Sequence, residues 1–190
     1  MNKCIFFDRD GVLIEDIHLL TQLKQVKFYL ETFEAIRLIL HSDYKSIVIT
    51  NQPVVARGMI SEQKVESINN FIKDQIFNKT KYKIEKFYYC PHHPNANIEN
   101  YRINCNCRKP KSGMLLQATD EYDIDLNNSW MIGDRISDII AGHNVGCKTI
   151  LVETGKHLDK PIESDIIDFS IKPDFICNNI LEAVRIILNY

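Results

Sequence analysis

Short apolar runs alternate with longer amphipathic segments along the chain. Six of these runs have the length of buried strands: residues 4–7, 46–50, 86–89, 129–132, 149–152 and 174–177. Between them, apolar residues recur at helical spacing in residues 31–41, 61–78 and 113–122, around Ile139 and Ala141, and in residues 180–188. Strands that alternate with helices predict a parallel sheet covered on both faces. We therefore expect one doubly wound α/β domain spanning residues 1–190.

Two of the predicted helices have a defined apolar face. The first should bury Phe33, Ile36, Leu38, Ile39 and Leu40, and the second, which follows a Ser61 N-cap, should bury Val65, Ile68, Phe71, Ile72 and Ile76. Residues 13–29 and 153–172 show no clear period, so we expect loops there. The first of these loops follows directly after the first predicted strand and is placed to lie over its end.

Composition and charge narrow the class of protein. The chain has 190 residues, of which 45% are hydrophobic and 25% charged, and its formal net charge is -2 (23 basic minus 25 acidic residues). These values are ordinary for a globular domain and do not favour a general nucleic-acid or membrane-surface binder. No apolar run is long enough to span a bilayer. We expect a cytoplasmic monomer with neither nucleic acid nor membrane as partner.

Polar side chains follow three of the predicted strands. Asp8 and Asp10 come after the first, Thr50 and Asn51 after the second, and Asp134 after the fourth. Carboxyl ends of parallel strands meet at one edge, where open α/β sheets bind their ligands. Oxygen ligands of this kind suit Mg²⁺, and Lys109 or Lys111 could add a cation for an anionic substrate. Taken alone, the two aspartates could equally belong to a polar loop with a helix cap.

Residues 90–111 are irregular and rich in Cys, His, Pro and Asn, which indicates organisation by something other than packing. Cys90-Pro-His-His-Pro and Cys105-Asn-Cys107 supply three thiols and an imidazole, the ligands of a structural zinc site. His92 is preferred to His93 because it keeps the same spacing from Cys90 as Cys107 keeps from Cys105. Free thiols are the alternative. The other three cysteines lie in apolar runs and are predicted core residues: Cys4, Cys147 and Cys177.

The ordered motifs Asp8-Arg-Asp10-Gly-Val, Thr50-Asn-Gln, Lys109 and Gly133-Asp134 with Asp138 resemble those of the haloacid dehalogenase superfamily. The resemblance implies a Rossmann-like fold and a Mg²⁺-dependent phosphatase that forms an aspartyl-phosphate on Asp8. It makes Asp10 the general acid and base, and it implies that Thr50 and Lys109 steady the phosphoryl group. Asp134, Asp8 and the Asp10 carbonyl would bind Mg²⁺.

The zinc motif refines this resemblance. A short chain with a minimal cap, bearing Cys-Pro-His-His-Pro and Cys-x-Cys-Arg-Lys-Pro, is similar to the family of heptose 1,7-bisphosphate 7-phosphatases and histidinol-phosphate phosphatases. The resemblance implies zinc on Cys90, His92, Cys105 and Cys107 and a small phosphorylated substrate, with a sugar bisphosphate favoured over histidinol phosphate. The residues that it implies for substrate binding are Asn51, Gln52, Arg57, Arg108 and Arg135.

Two departures from the family pattern concern substrate choice. Pro53-Val54-Val55 replaces the usual Ser-Gly-Ile, and Arg135 replaces a Lys found in many relatives. Arginine keeps the charge but changes the hydrogen-bonding geometry. A zinc-stabilised binding module without catalysis is a second hypothesis, which the retention of both Asp8 and Asp10 disfavours.

Overall fold

The computed structural model describes residues 1–156 and 170–190, which form six parallel strands. The strands are β1 (Lys3–Phe7), β2 (Tyr44–Asn51), β3 (Lys86–Cys90), β4 (Trp130–Gly133), β5 (Lys148–Val152) and β6 (Phe175–Cys177). All six agree with the apolar runs of the sequence to within two residues at either end.

The sheet has the order β3-β2-β1-β4-β5-β6. Strand β1 is central, with Ile5 opposite Ser46 of β2 on one side and Trp130 of β4 on the other. The chain runs outward from β1 to β3 and then crosses to the opposite side of β1 at β4. Such a reversal opens a crevice beyond the carboxyl ends of the strands. Here the crevice lies between the residues that follow β1, β2 and β4.

Helices cover both faces of the sheet, as predicted. They are α1 (Thr32–Ile39), α2 (Pro53–Ala56), α3 (Glu62–Thr80), α4 (Gly113–Tyr122), α5 (Ile136–His143) and α6 (Ile180–Asn189). One core lies between the sheet and helices α1, α3 and α6, and the other between the sheet and helices α4 and α5.

Side chains of β1 alternate between these two cores. Ile5 and Phe7 belong to the core shared with α1, α3 and α6, whereas Cys4 and Phe6 belong to the core shared with α4 and α5. All four are fully buried. A strand buried on both faces needs apolar residues at every position, which explains why β1 reads as a continuous apolar run.

Polar residues fix the starts of two helices. The Ser61 side chain accepts a hydrogen bond from the Lys64 N–H at 3.3 Å, which confirms the predicted N-cap of α3. The Asn179 side chain does the same for α6, accepting from Leu181 and Glu182. Each cap satisfies backbone donors that the first turn of a helix leaves unpaired.

The predicted buried faces are too broad in two places. Leu38 and Leu40 of the α1 region are 38% and 39% exposed, because this helix contacts its neighbours through Ala35, Ile36 and Ile39. Phe71 of α3 is only half-buried. In both cases the packed stripe of the helix is narrower than the apolar stripe of the sequence.

The segment after β2 forms a short helix that the sequence did not predict. Pro53 ends β2 as predicted but also begins α2, whose Val54 and Val55 are buried against Val65. Pro at the first helical position costs no hydrogen bond, since that N–H would be unpaired anyway.

The predicted loop at 153–172 falls largely on residues 157–169, outside the described residues. The described part contains no helix long and apolar enough to cross a membrane.

Candidate active site and metal centres

Three carboxylates meet at the crevice. Oxygens of Asp8, Asp134 and Asp138 lie within 4.8 Å of one another, and all three residues are buried. Asp8 follows β1, Asp134 follows β4, and Asp138 lies in the first turn of α5. The Lys109 ammonium joins two of them, at 3.0 Å from Asp8 Oδ1 and 2.6 Å from Asp138 Oδ1. The topology thus brings together groups up to 130 positions apart (138 minus 8).

The charge of this cluster is unbalanced. Three carboxylates face one ammonium, so two negative charges remain when all the acids are ionised. Burial, with repulsion from Asp8 and Asp138, raises the pKa of Asp134 to about 8. Burial likewise raises the pKa of Asp138 to about 6, although Lys109 opposes it. Burial alone would lower the pKa of Lys109, but Asp138 and Asp8 outweigh it and raise that pKa. A divalent cation would neutralise the excess charge.

One oxygen of Asp134 is available for such a cation. Its Oδ2 accepts the Lys156 N–H at 2.6 Å, whereas its buried Oδ1 has no hydrogen-bond partner among the described residues. Two glycines make this approach possible, because a Cβ at Gly11 or at Gly155 would overlap the Asp134 carboxylate. Gly11 also has φ +86°, which only glycine adopts without strain. This orphaned carboxylate oxygen and the hard oxygen donors fit Mg²⁺.

Asp10 is held by a separate network. The buried Arg9 guanidinium forms an ion pair with Asp10 at 2.9 Å and donates to Asn69 and Gln52, both at 2.8 Å. Gln52 in turn donates to Asp10 and to the Thr50 hydroxyl oxygen, at 2.8 and 2.9 Å. Because Thr50 accepts here, its O–H remains a donor. Asp10 and Thr50 are therefore held in fixed orientations at the crevice.

Burial raises the pKa of Asp10, and the neighbouring Asp8 carboxylate adds to this effect. The Arg9 ion pair and the Gln52 hydrogen bond act in the opposite direction. A carboxyl with a raised pKa holds a proton closer to neutral pH, as a general acid must.

Asn51 binds protein backbone in this structure. Its amide donates to the Lys109 carbonyl at 3.0 Å and accepts from the Lys109 N–H at 3.1 Å. The Lys109 ammonium also donates to the Ile49 carbonyl at 2.7 Å. These bonds fix Lys109 against β2. Lys111, the alternative cation in the sequence, is exposed and bonds instead to Asn104 and the Cys105 carbonyl.

The four predicted zinc ligands form a second cluster. The Sγ atoms of Cys90, Cys105 and Cys107 lie 3.0–3.5 Å apart, and His92 Nδ1 lies 3.7 and 3.4 Å from Cys90 and Cys107. Contact with Cys90 lowers the pKa of Cys107 to about 5, and contact with Cys107 raises the pKa of Cys90. None of the six cysteines, all of which the structure describes, forms a disulfide, and the predicted core cysteines Cys4, Cys147 and Cys177 are buried. Three thiols and one imidazole nitrogen converging in this way could hold a tetrahedral metal ion.

Basic side chains line the cleft above the carboxylates. Arg57, Arg108 and Arg135 line this cleft, which has a volume of about 160 Å³. The guanidinium of Arg135 donates to Asp16 at 3.2 Å. Asp16 belongs to the loop at 13–29, whose residues 16 and 18–20 line the cleft. The prediction that this loop lies over the site is confirmed.

Comparison with known proteins identifies the family. A family model described as HAD-hydrolase-like matches residues 106–183. The chain is 39% identical over 166 residues to D-glycero-beta-D-manno-heptose-1,7-bisphosphate 7-phosphatase of Pasteurella multocida, covering 87% of each protein. It is 36% identical over 190 residues to the Haemophilus influenzae enzyme of the same name, covering 98% of the chain and 97% of that enzyme. The chain belongs to this heptose bisphosphate phosphatase family.

Solved structures agree with the fold. D,D-heptose 1,7-bisphosphate phosphatase from B. bronchiseptica, complexed with magnesium and phosphate, superposes with a TM-score of 0.82 at 24% identity, covering 98% of each chain. A second D,D-heptose 1,7-bisphosphate phosphatase, from Burkholderia thailandensis, gives a TM-score of 0.67 at 18% identity and covers both chains fully. The Rossmann-like haloacid dehalogenase fold expected from the sequence is confirmed.

Of the residues predicted for catalysis and for metal binding, Asp8, Asp134 and Lys109 lie at the carboxylate cluster, and the four predicted zinc ligands form the second cluster. Asp10 and Thr50 line the same cleft but belong to the separate network around Gln52. All five predicted substrate residues line the cleft, but the Asn51 and Gln52 amides also bond to the protein itself. Their contact with substrate stays a prediction. Four other residues line or support the cleft without a role there predicted from the sequence: Arg9, Asp16, Asn69 and His93. Only Arg9 carried a signal, its place between the two aspartates.

Proposed function

We propose that the protein hydrolyses the 7-phosphate of a D-glycero-D-manno-heptose 1,7-bisphosphate through an aspartyl-phosphate on Asp8. The observation that carries this proposal is the buried Asp8 carboxylate, bonded to Lys109 and flanked by Asp10 in a chain of the heptose bisphosphate phosphatase family. Phosphoryl transfer depends mainly on positioning and on neutralising charge. The cleft supplies both.

Asp8 is oriented for attack. Its Oδ1 accepts the Arg9 N–H at 2.7 Å and contacts Lys109, which leaves Oδ2 to approach phosphorus. As the Oδ2–P bond forms, the bond from phosphorus to the sugar oxygen breaks, and Asp10 gives its proton to that oxygen. Asp10 then takes a proton from a water molecule that attacks the phosphoryl group. Asp8 is released and inorganic phosphate leaves.

Lys109 and Thr50 neutralise and orient the phosphoryl oxygens in this scheme. The ammonium is already fixed by Ile49, Asp8 and Asp138, so it needs no reorganisation during the reaction. Mg²⁺ held by Asp8, Asp134 and the Asp10 carbonyl would supply positive charge beside the phosphate. Its two charges equal the excess negative charge of the carboxylate cluster.

The zinc site has a structural role in this proposal. Cys107 is followed directly in the chain by Arg108 and Lys109, so an ion held by Cys90, His92, Cys105 and Cys107 would fix both cations at the cleft. Metal binding and loop folding are then one event. Such a site needs no open coordination position.

Substrate recognition rests on the second phosphate. Arg57 and Arg108 lie in the cleft with Lys109, and they provide more positive charge than one phosphoryl group requires. A sugar bisphosphate uses these cations, whereas an aryl phosphate or histidinol phosphate lacks the second anion. Arg135 is held by Asp16, which makes it the less available of the three.

Asp8→Asn tests the covalent mechanism. The amide cannot attack phosphorus, so turnover of the heptose bisphosphate and of an aryl phosphate should both be lost. Asp10→Asn should retain formation of the aspartyl-phosphate from an activated aryl ester but slow its hydrolysis. Fluoroberyllate should bind on Asp8 in a crystal structure. An exposed acid on α4 provides the control, and Asp120→Asn should leave turnover unchanged.

The same assays discriminate the alternatives. Turnover remaining in Asp8→Asn would rule out the covalent mechanism. Faster hydrolysis of histidinol phosphate than of either anomer of heptose bisphosphate would contradict the proposed substrate. Absence of any Mg²⁺-dependent phosphatase activity in the unsubstituted protein would favour the zinc-stabilised binding module instead.

A further inference from the structure

His93 is a buried cleft residue to which the scheme above gives no function. It lies in the irregular segment between Cys90 and Cys107, one position after His92. Its side chain lines the same cleft as Arg57 and Arg108, and the residue is only 6% exposed.

Three hydrogen bonds fix the position of His93. Its N–H donates to the Tyr101 carbonyl at 3.1 Å, and its carbonyl accepts the Ala96 N–H at 3.1 Å. The ring nitrogen Nδ1 accepts the Asn95 N–H at 3.0 Å. A nitrogen that accepts cannot carry a proton, so the proton of the neutral ring lies on Nε2. The ring therefore presents an N–H donor at a fixed place.

That donor lacks an acceptor. Nε2 is shielded from solvent and has no hydrogen-bond partner among the residues that the structure describes. The charged side chains of the cleft that act on His93 are Arg108 and Arg57, which are donors too. An unpaired donor shut off from water is unfavourable in a folded protein, and most such groups are paired. A ligand rich in acceptor oxygens would accept the Nε2–H and place its negative charge beside both guanidinium groups.

We propose that His93 Nε2–H donates to an oxygen of the substrate phosphate that is not cleaved, beside Arg57 and Arg108. The inference rests on the proposed bisphosphate substrate and adds a residue that selects for it. Because Nε2 is closed to solvent without ligand, the side chains over the ring must shift when the phosphate enters. The arginines supply positive charge, and the neutral His93 ring adds one hydrogen bond of fixed direction, because its single N–H has one orientation. His93 is thus a specificity-determining residue.

Two substitutions separate the two ring nitrogens. His93→Asn places an acceptor near the position of Nδ1 and so keeps the Asn95 hydrogen bond, but it removes the Nε2 donor. His93→Gln places an amide donor near the position of Nε2 and loses the Nδ1 acceptor. We expect His93→Asn to lower kcat/KM for the heptose bisphosphate about tenfold more than for an aryl phosphate, mostly through KM. His93→Gln should restore most of that ratio.

Controls separate this inference from the function on which it rests. Zinc content and unfolding temperature are measured for both variants, and the exposed His41→Asn serves as the matched substitution. Equal losses on both substrates, a greater loss in His93→Gln, or zinc loss confined to His93→Asn would overturn the role of His93 while the unsubstituted protein still prefers the bisphosphate. If the unsubstituted protein itself shows no such preference, the proposed substrate fails and the role of His93 is refuted with it.

Discussion

Asp134→Asn should make the metal-free protein more stable while abolishing its response to Mg²⁺. Asp134 is fully buried, and one of its oxygens has no partner among the described residues. Asparagine has the same shape and can still accept the Lys156 N–H, but it carries no charge. Replacing the acid therefore removes a group that must take up a proton to be buried beside Asp8 and Asp138, and it removes a ligand that Mg²⁺ would use.

The magnitude follows from the pKa of Asp134. Burial and the neighbouring carboxylates raise this pKa from 3.8 to about 8. Between those values the folded protein holds a proton that the unfolded chain has lost, so the stability of the metal-free protein falls as pH rises through this window. At pH 7 the difference of about three pKa units corresponds to a cost on the order of 4 kcal/mol. The buried amide retains part of this cost, so we expect a gain of roughly 2 kcal/mol, or about 4–8 °C in unfolding temperature.

The assay is thermal unfolding at pH 7 in magnesium-free buffer and again at saturating Mg²⁺. Chelators are avoided because the thiol cluster could hold a metal ion that they would also remove. The unsubstituted protein should gain stability with Mg²⁺, by about 2.7 kcal/mol at one hundred times its dissociation constant. Asp134→Asn should start higher and gain almost nothing. Asp120→Asn, which changes an exposed acid on α4, should behave like the unsubstituted protein.

Two results would refute the reasoning. If Asp134→Asn were less stable than the unsubstituted protein without Mg²⁺, the cluster would not be under electrostatic strain. If both proteins gained equally from Mg²⁺, the ion would bind elsewhere.

Three further predictions follow from the same contacts. Mg²⁺ should raise the unfolding temperature of the unsubstituted protein less at pH 6 than at pH 8, because protons compete for the Asp134 carboxylate; an equal rise at both pH values would contradict this. Gly155→Ala should raise the Mg²⁺ concentration for half-maximal activity about ten- to hundredfold, because its Cβ would displace the Asp134 carboxylate. An unchanged Mg²⁺ concentration would show that Gly155 is not needed to position this carboxylate. Arg108→Ala should lower kcat/KM for the bisphosphate about ten- to hundredfold while an aryl phosphate suffers much less, and the exposed Arg185→Ala is the control. Equal losses on both substrates would argue against second-phosphate binding by Arg108.

The candidate site depends on long-range contacts that no local pattern specifies. Asn51 and Gln52 look in the sequence like substrate contacts, yet their amides bond to Lys109, Asp10 and Arg9. Arg9 reaches Asn69, 60 positions along the chain, for one of its hydrogen bonds. The packing of α3 and of residues 90–111 against the sheet determines which of these groups form hydrogen bonds with each other. The spacing of apolar residues along the chain carries no information about these hydrogen bonds.

The exposure of Leu38 and Leu40 and the position of His93 likewise depend on tertiary contacts that the sequence does not specify. Leu38 and Leu40 are as apolar as their buried neighbours, but the facing helices cover only one stripe of α1. Spacing from Cys90 singled out His92 as the partner of the thiols, but nothing in the sequence indicated that the adjacent His93 would line the cleft.

The sequence alone determined the strands and their parallel arrangement, and it predicted Asp8, Asp134 and the four members of the thiol cluster. The place of Asp138 beside the other two carboxylates was not predicted. The predicted features depend on local rules: apolar runs fit a sheet buried on both faces, acids after such runs emerge at its carboxyl edge, and paired cysteines mark a metal loop. Tertiary structure decided which polar atoms face each other. Within the part of the chain that the structure describes, it left Asp134 Oδ1 and His93 Nε2 without hydrogen-bond partners. Hydrogen bonding depends on distances of a few tenths of an ångström, which packing sets and residue order does not.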